Sequence, residues 1–125
     1  MNSLLVMIGG AVGAFARYQF GRASFHLWGG SWPWGTLGVN IVGGLLMGVL
    51  AGWLARFGAD GGEQLRLLLG VGILGGFTTF SSFSLEIMLM IEGGQWASAV
   101  LYAMASVVLS VVALFAGLSL VRGFA

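Results

Sequence analysis

Charge-free apolar runs constrain this chain more than any other feature of its sequence. Three of them cover residues 23–55, 67–85 and 93–121, and each is at least as long as the ~17 to 25 residues that a transmembrane helix needs. A fourth run covers residues 1–16 and is followed by Arg17, whose long side chain can extend toward the membrane surface. The pattern predicts a membrane protein with four transmembrane helices.

The composition agrees with a single helical domain in a membrane. Hydrophobic residues make up 58% of the 125 residues and charged residues 7%, whereas soluble domains carry roughly 25% charged residues. We predict an all-α membrane protein with one four-helix domain, residues 1–125, whose helices cover about residues 3–22, 36–56, 65–91 and 95–121. Helix-breaking and polar residues mark the three loops: Gly29, Gly30, Ser31 and Pro33 in the first, Gly58, Asp60, Gly61 and Gly62 in the second, and Gly93 and Gly94 in the third.

Several classes of protein are excluded by residue counts. The chain has no cysteine, so disulfides and thiolate metal sites are not available, and its single histidine, His26, cannot form a histidine metal cluster. A net charge of +1 provides no basic patch for nucleic acid.

The arginines give almost no orientation signal. Arg17 and Arg22 lie toward the first loop, while Arg56, Arg66 and Arg122 lie on the opposite side. One interpretation is that the chain inserts in both orientations and pairs antiparallel about a two-fold axis in the membrane plane. The other is that one arginine is buried and the rest set a single orientation. Charge counting leaves both open.

Small residues recur at four-residue spacing, which allows helices to approach closely in a membrane. The spacing favours tight helix packing without selecting a partner for any helix. The pairs are Gly9 with Gly13, Gly44 with Gly48 and Gly52, and Gly72 with Gly76.

A polar line edged by phenyl rings runs along the third helix. At about 100° per residue, Thr79, Ser82, Phe83 and Glu86 share roughly one third of the helix circumference, and Phe80 lies about 60° beyond Phe83. Polar groups in a bilayer are costly unless they face protein or water, so this line predicts a polar pathway. The phenylalanines can equally be packing residues.

Two other helices carry similar lines. Ser98, Tyr102, Ser106 and Ser110 follow one another at four-residue spacing on the fourth helix, and Thr36 and Asn40 do so on the second. Hydroxyls in membrane helices also bind their own backbone or a neighbouring helix, which is the simpler explanation for any one of them. Together the lines offer uncharged hydrogen-bond donors, which suit a small anion, but the residues alone indicate only a small ion or polar solute.

Gly75 and Gly76, followed by Thr78 and Thr79, indicate a break in the third helix. A break at membrane depth frees backbone carbonyls, which can hold a monovalent metal ion when they are buried in protein. A glycine kink without an ion is the alternative.

Three stretches of this chain resemble the Fluc family, the CrcB-type fluoride channels of bacteria. They are GGAVGAFARY at residues 9–18, GTLGVNIVGG at 35–44 and GGFTTFSSFSLE at 75–86. The resemblance extends over essentially the whole chain. Ser82 stands where the family often has threonine, and it retains the hydroxyl.

The resemblance implies a fold, an activity and a location. It implies an antiparallel dual-topology homodimer with a broken third helix, two separate fluoride pores and a structural sodium ion at the dimer interface. The activity is passive, fluoride-selective export of cytoplasmic fluoride across the bacterial inner membrane, which protects the cell against fluoride toxicity. Such a protein is not an enzyme and has no catalytic residues.

The resemblance also implies residue roles. Phe80 and Phe83 are the pore phenylalanines, Asn40 the amide donor beside them, and Ser106 and Ser110 the continuing pore wall, with Tyr102, Thr79 and Ser82 along the same path. Arg17 lies at a vestibule, and Thr36 and Glu86 lie near the pore. The backbone carbonyls of Gly75 and Thr78 bind sodium.

A proton-coupled exporter of the small multidrug type is the nearest rival, since it also has four helices, similar length and dual topology. Such an exporter needs an acidic residue deep in its first helix, and residues 1–20 contain none. Glu86 is the only carboxylate at a plausible membrane position, far along the third helix. A structural subunit of a larger complex would leave the hydroxyl lines unexplained.

Overall fold

The structure, a computed structural model, describes residues 2–30, 32–57 and 62–123, and all regular secondary structure in these ranges is helical. Four helical segments are long and apolar enough to cross a membrane, which confirms the predicted number. The predicted loop residues Ser31, Gly58, Asp60 and Gly61 lie outside the described residues.

Helix α1, Asn2–Trp28, continues past the end expected near residue 22. Residues 23–28 contain no glycine or proline, so nothing in them stops a helix. The end comes at Gly29, which has a left-handed φ of 78° and donates its N–H to the Phe25 carbonyl at 2.8 Å, an arrangement typical of a glycine after a helix. Arg17 and Arg22 therefore both lie within α1. Helix α2, Trp34–Phe57, begins directly after Pro33.

The third segment, Gly62–Glu92, consists of successive helical pieces. Its elements are α3 (Gly62–Leu65), a π-helix (Arg66–Leu74), α4 (Gly75–Phe77) and α5 (Ser81–Glu92). Between α4 and α5, Thr78 has extended backbone with φ −83° and ψ 161°. A π-helix is uncommon and frequently accompanies a functional site. Helix α6, Trp96–Gly123, follows the turn at Gly93 and Gly94.

Glycines bring the helix backbones into direct contact, as their spacing predicts. Helix α1 packs along the π-helix and α4, and α2 packs along α6. A Cβ atom added to Gly9 would lie 2.9 Å from the Cα of Gly72, and one added to Gly44 would lie 2.6 Å from the carbonyl oxygen of Ser110. Real Cβ atoms do not approach other atoms so closely, so these positions require glycine.

We expect Gly9→Ala to lower the stability of the fold by roughly 1 to 3 kcal/mol, because the added methyl group forces α1 away from the π-helix. Gly10→Ala is the matched control, since a Cβ atom there has no neighbour within 4 Å. Thermal unfolding in detergent, followed by circular dichroism, measures both. Equal melting temperatures for the two variants would contradict the packing described above.

Candidate functional site

The side chain of Asn40 on α2 binds the backbone where α4 and α5 separate. Its Nδ2 donates to the Thr79 carbonyl at 3.0 Å, and its Oδ1 accepts the Thr79 N–H at 3.0 Å. In a continuous helix the Thr79 N–H would instead donate to the Gly75 carbonyl. Asn40 thus provides a donor for the Thr79 carbonyl and an acceptor for the Thr79 N–H, the two partners that the interrupted helix does not provide.

Other polar groups also form hydrogen bonds around this interruption. The N–H and the hydroxyl of Thr78 both donate to the Leu74 carbonyl, each at 3.0 Å. The Ser82 N–H donates to the Thr79 hydroxyl at 3.3 Å. From α1, the Nε of Arg17 donates to the Gly76 carbonyl at 3.1 Å.

Glu86 joins three helices at one carboxyl group. The Thr36 hydroxyl on α2 donates to its Oε2 at 3.0 Å, and the Tyr102 hydroxyl on α6 donates to its Oε1 at 2.9 Å. Tyr102 has no exposed surface (0%). Both oxygens of Glu86 on α5 therefore accept hydrogen bonds from neighbouring helices, so the carboxyl group ties α2, α5 and α6 together.

Aromatic rings form a row beside this carboxyl group. Ring centroids are 5.5 Å apart for Phe80 and Phe83, 5.2 Å for Phe83 and Tyr102, and 5.4 Å for Tyr102 and Trp32. Phe83, inside the row, is only 8% exposed, whereas Phe80, at the end of the row farthest from Trp32, is 76% exposed. Tyr102 and Phe83 are thus held by packing, and the Phe80 ring stands on the surface of the subunit.

Two cavities meet at Thr79, which lines both of them. The inner cavity, named for its place between α2, the interruption and α6, is an open depression with a volume of about 360 Å³. The outer cavity has a volume of about 720 Å³ and lies beside the second half of α1. Predicted site residues in the inner cavity are Asn40, Thr78, Thr79, Phe80, Phe83, Ser106 and Ser110, and those in the outer cavity are Arg17, Thr36, Thr79, Ser82 and Glu86.

Two serine hydroxyls of the inner cavity are left without partners. The Oγ atoms of Ser106 and Ser110 are buried and have no hydrogen-bond partner within the described residues. Most buried polar atoms in proteins have a hydrogen-bond partner. Two hydroxyls that lack one and line the same cavity therefore indicate a place where a bound species supplies the missing interaction. The simpler explanation from the sequence, that these hydroxyls bind their own backbone or a neighbouring helix, does not hold for these two within the described residues.

Two of the predicted site residues line neither cavity. Tyr102 lies behind Phe83, where its hydroxyl binds Glu86, and Gly75 is exposed on the subunit surface. All the others reach at least one cavity.

Residues on the second half of α1 were not predicted as site residues, yet they line the outer cavity. They are Tyr18, Gly21, Arg22, Phe25 and His26, which recur at helical spacing along one face. The guanidinium of Arg22 lies over the ring of Tyr18, 5.9 Å from its centroid. Phe25 and His26 lie beyond the predicted end of α1 near residue 22, and the absence of glycine and proline from residues 23–28 was the signal that the helix continues. Tyr18, Gly21 and Arg22 lay inside the predicted helix but were not recognised as site residues.

Comparison with known proteins gives a family and close relatives. Residues 4–118 match a family model described as "CrcB-like protein, Camphor Resistance (CrcB)". The chain is 57% identical to a protein of Novosphingobium aromaticivorans over 122 residues, which covers 96% of this chain and 95% of the relative. It is 58% identical to a protein of Sphingopyxis alaskensis and 56% identical to one of Caulobacter vibrioides, each over 123 residues, with 98% of this chain and 97% of the relative covered. All three relatives are named "Fluoride-specific ion channel FluC".

Removing the Tyr102 hydroxyl tests the junction at Glu86. We expect Tyr102→Phe to lower the free energy of unfolding by about 1 to 3 kcal/mol, because one oxygen of the half-buried Glu86 carboxyl group loses its donor. Ser106→Ala, also a buried hydroxyl on α6, should change the free energy of unfolding much less, since its hydroxyl has no partner to lose. Denaturant unfolding in detergent compares the two, and an equal or larger loss in Ser106→Ala would count against this assignment.

Proposed function

Because the chain belongs to the CrcB-like family, we propose that it is a fluoride-selective channel through which cytoplasmic fluoride leaves the cell passively. The observation that carries the proposal is the inner cavity, where unpaired hydroxyls and phenyl rings face the same space. The names of the relatives support the same activity. A channel of this kind catalyses no covalent chemistry.

The inner cavity suits a small anion that has lost part of its water. The hydroxyls of Ser106 and Ser110 can donate hydrogen bonds, and so can the second Nδ2 hydrogen of Asn40, because the first is used by Thr79. The rings of Phe80 and Phe83 can present their electropositive edges. The residues lining this cavity include no charged side chain. Weak uncharged donors can replace water around fluoride and still release it, which conduction requires.

The outer cavity supplies the attraction that the inner one lacks. Arg17 and Arg22 line it, and positive charge at a mouth raises the local concentration of anions. The inside-negative membrane potential adds roughly 2.3 kcal/mol per charge per 100 mV in favour of fluoride exit. Coupled export is disfavoured, since α1 carries no carboxylate and both oxygens of Glu86 accept hydrogen bonds.

We propose that the working form is an antiparallel dual-topology homodimer in the bacterial inner membrane. The exposed Phe80 ring borders the inner cavity, so a second subunit placed against it would close the pathway on that side. Gly75 is exposed near the same interruption. The nearly even division of arginines between the two ends supports insertion in both orientations.

We propose that a structural sodium ion binds at the interruption between α4 and α5, at the dimer interface. The usual helical donors of the Gly75 and Thr78 carbonyls, the N–H groups of Thr79 and Ser82, are bonded to Asn40 and to the Thr79 hydroxyl instead. Carbonyl oxygens freed in this way are suitable ligands for a hard monovalent cation. Within the described residues no three His, Cys, Asp or Glu side chains gather, so the proposed site uses backbone carbonyl oxygens and no cluster of those side chains.

Efflux of fluoride and of chloride from liposomes containing the purified protein tests the proposed activity. Fluoride should leave and chloride should be retained, because the inner cavity offers only weak donors to a small anion. Passage of both anions at equal rates, or of neither, would overturn the proposal.

Phe80→Ile and Phe83→Ile test the role of the rings. Each should slow fluoride efflux by roughly tenfold or more, which corresponds to about 1.4 kcal/mol of lost anion stabilisation, while the protein still elutes as a dimer. Phe115→Ile is the matched control, since Phe115 is an exposed ring on α6 outside both sets of cavity-lining residues. Unchanged efflux in both pore variants would remove the rings from the pathway.

Replacing sodium by a large organic cation such as N-methyl-D-glucamine tests the cation. Thermal stability of the dimer, or its fluoride efflux, should fall, because the Gly75 and Thr78 carbonyls would lose their ligand. If neither the thermal stability nor the fluoride efflux depends on sodium, the proposed sodium site is wrong.

A further inference from the structure

Arg17 has a contact that attraction of anions does not require. Its Nε donates to the Gly76 carbonyl at 3.1 Å, across the interface between α1 and α4. The two backbones are close enough there that a Cβ atom on Gly76 would lie 2.6 Å from the Gly10 carbonyl oxygen. The hydrogen bond therefore holds the guanidinium group of Arg17 next to the interruption.

The Gly76 carbonyl needs a donor because the helix stops just after it. In a continuous helix the Phe80 N–H would bind this oxygen, but the extended backbone at Thr78 carries the chain away from the helical path. Arg17 supplies the missing donor on the α4 side, as Asn40 does for Thr79 on the other side. Two side chains from two helices therefore fix the backbone on both sides of Thr78.

Gly75 and Gly76 are consecutive residues of α4. Fixing the Gly76 carbonyl therefore restricts the orientation of the preceding peptide plane, which carries the Gly75 carbonyl. We propose that Arg17 is a positioning residue for the carbonyl cation site, holding the Gly75 carbonyl in the orientation that binds sodium. This inference rests on the proposed function. It assigns the Nε–H to the backbone and leaves the remaining N–H groups of the guanidinium for anions in the outer cavity.

Comparison with Arg22 distinguishes this positioning role from an effect of positive charge alone. It lies on the same helix, lines the same outer cavity and carries the same charge, but its guanidinium lies over the Tyr18 ring. If Arg17 acted through charge alone, the two arginines would respond alike to substitutions that keep the charge.

Lysine in place of Arg17 keeps the charge and puts a methylene group where Nε stands. We therefore expect Arg17→Lys to raise the sodium concentration needed for half-maximal thermal stabilisation of the dimer by roughly tenfold or more, the usual effect of losing a group that orients a metal ligand. Arg22→Lys should leave this concentration unchanged. The readout is a melting curve across a sodium titration at constant ionic strength, with N-methyl-D-glucamine as the balancing cation.

The outcomes distinguish the inference from its premise. If sodium stabilises the wild type and Arg17→Lys has the same half-maximal concentration, or if Arg22→Lys shifts equally, the positioning role is overturned and the sodium site stands. If sodium has no effect on the wild type, the sodium site falls and the positioning role falls with it.

A measurement on the wild type covers the case in which Arg17→Lys does not fold. In nitrogen-15 NMR, sodium should shift the Nε–H resonance of Arg17 and leave that of Arg22 in place. An Arg17 resonance that does not respond, while sodium stabilises the dimer, would overturn the proposal.

Discussion

The paired hydrogen bonds between the Asn40 carboxamide and the Thr79 backbone are the interaction on which the rest of the site depends. The hydrocarbon core of a membrane offers no water to an interrupted helix, so the freed N–H and C=O groups need partners in the protein, in a bound ion or in a water-filled cavity. Asn40 provides one of each at a single residue. Extended backbone at Thr78 is therefore tolerated, and with it the turn that exposes Phe80, buries Phe83 and brings Thr79 between the two cavities.

This constraint also explains how charge is distributed. The acidic group at the site, Glu86, has both oxygens engaged by Thr36 and Tyr102, and Arg17 is anchored to the Gly76 carbonyl at the edge of the outer cavity. The inner cavity is left with hydroxyls, an amide and phenyl rings. An anion attracted by guanidinium groups can thus move on to partners that bind it weakly, which is the arrangement that a proposed fluoride pathway needs.

Close helix packing makes this arrangement possible in a small domain. Gly9 and Gly76 bring α1 against the third segment, and Gly44 brings α2 against α6. The distances between helices are short enough for Arg17 and Asn40 to reach backbone groups on other elements. The inner cavity lies beside the interruption, where the helical path is lost, and it is there that the Ser106 and Ser110 hydroxyls have no partner within the described residues.

The sequence by itself determined the number of transmembrane helices and the close packing at glycines, and most of the site residues that it predicted do border a cavity, because apolar length and helical spacing are local properties of the chain. The family, which the comparisons confirmed, was also evident from three short stretches. Tertiary structure alone decided the partner of each polar group. Asn40 was predicted to be an amide donor beside the phenylalanines, and the structure adds that one of its Nδ2 hydrogens and its Oδ1 are bonded to Thr79. Tyr102 was predicted along the pathway, and in the structure it packs against Phe83 and lines neither cavity. A polar side chain inside a membrane binds a group that the adjacent helix presents to it. Which group this is depends on the relative positions of the helices, and residue spacing within one helix carries no information about those positions.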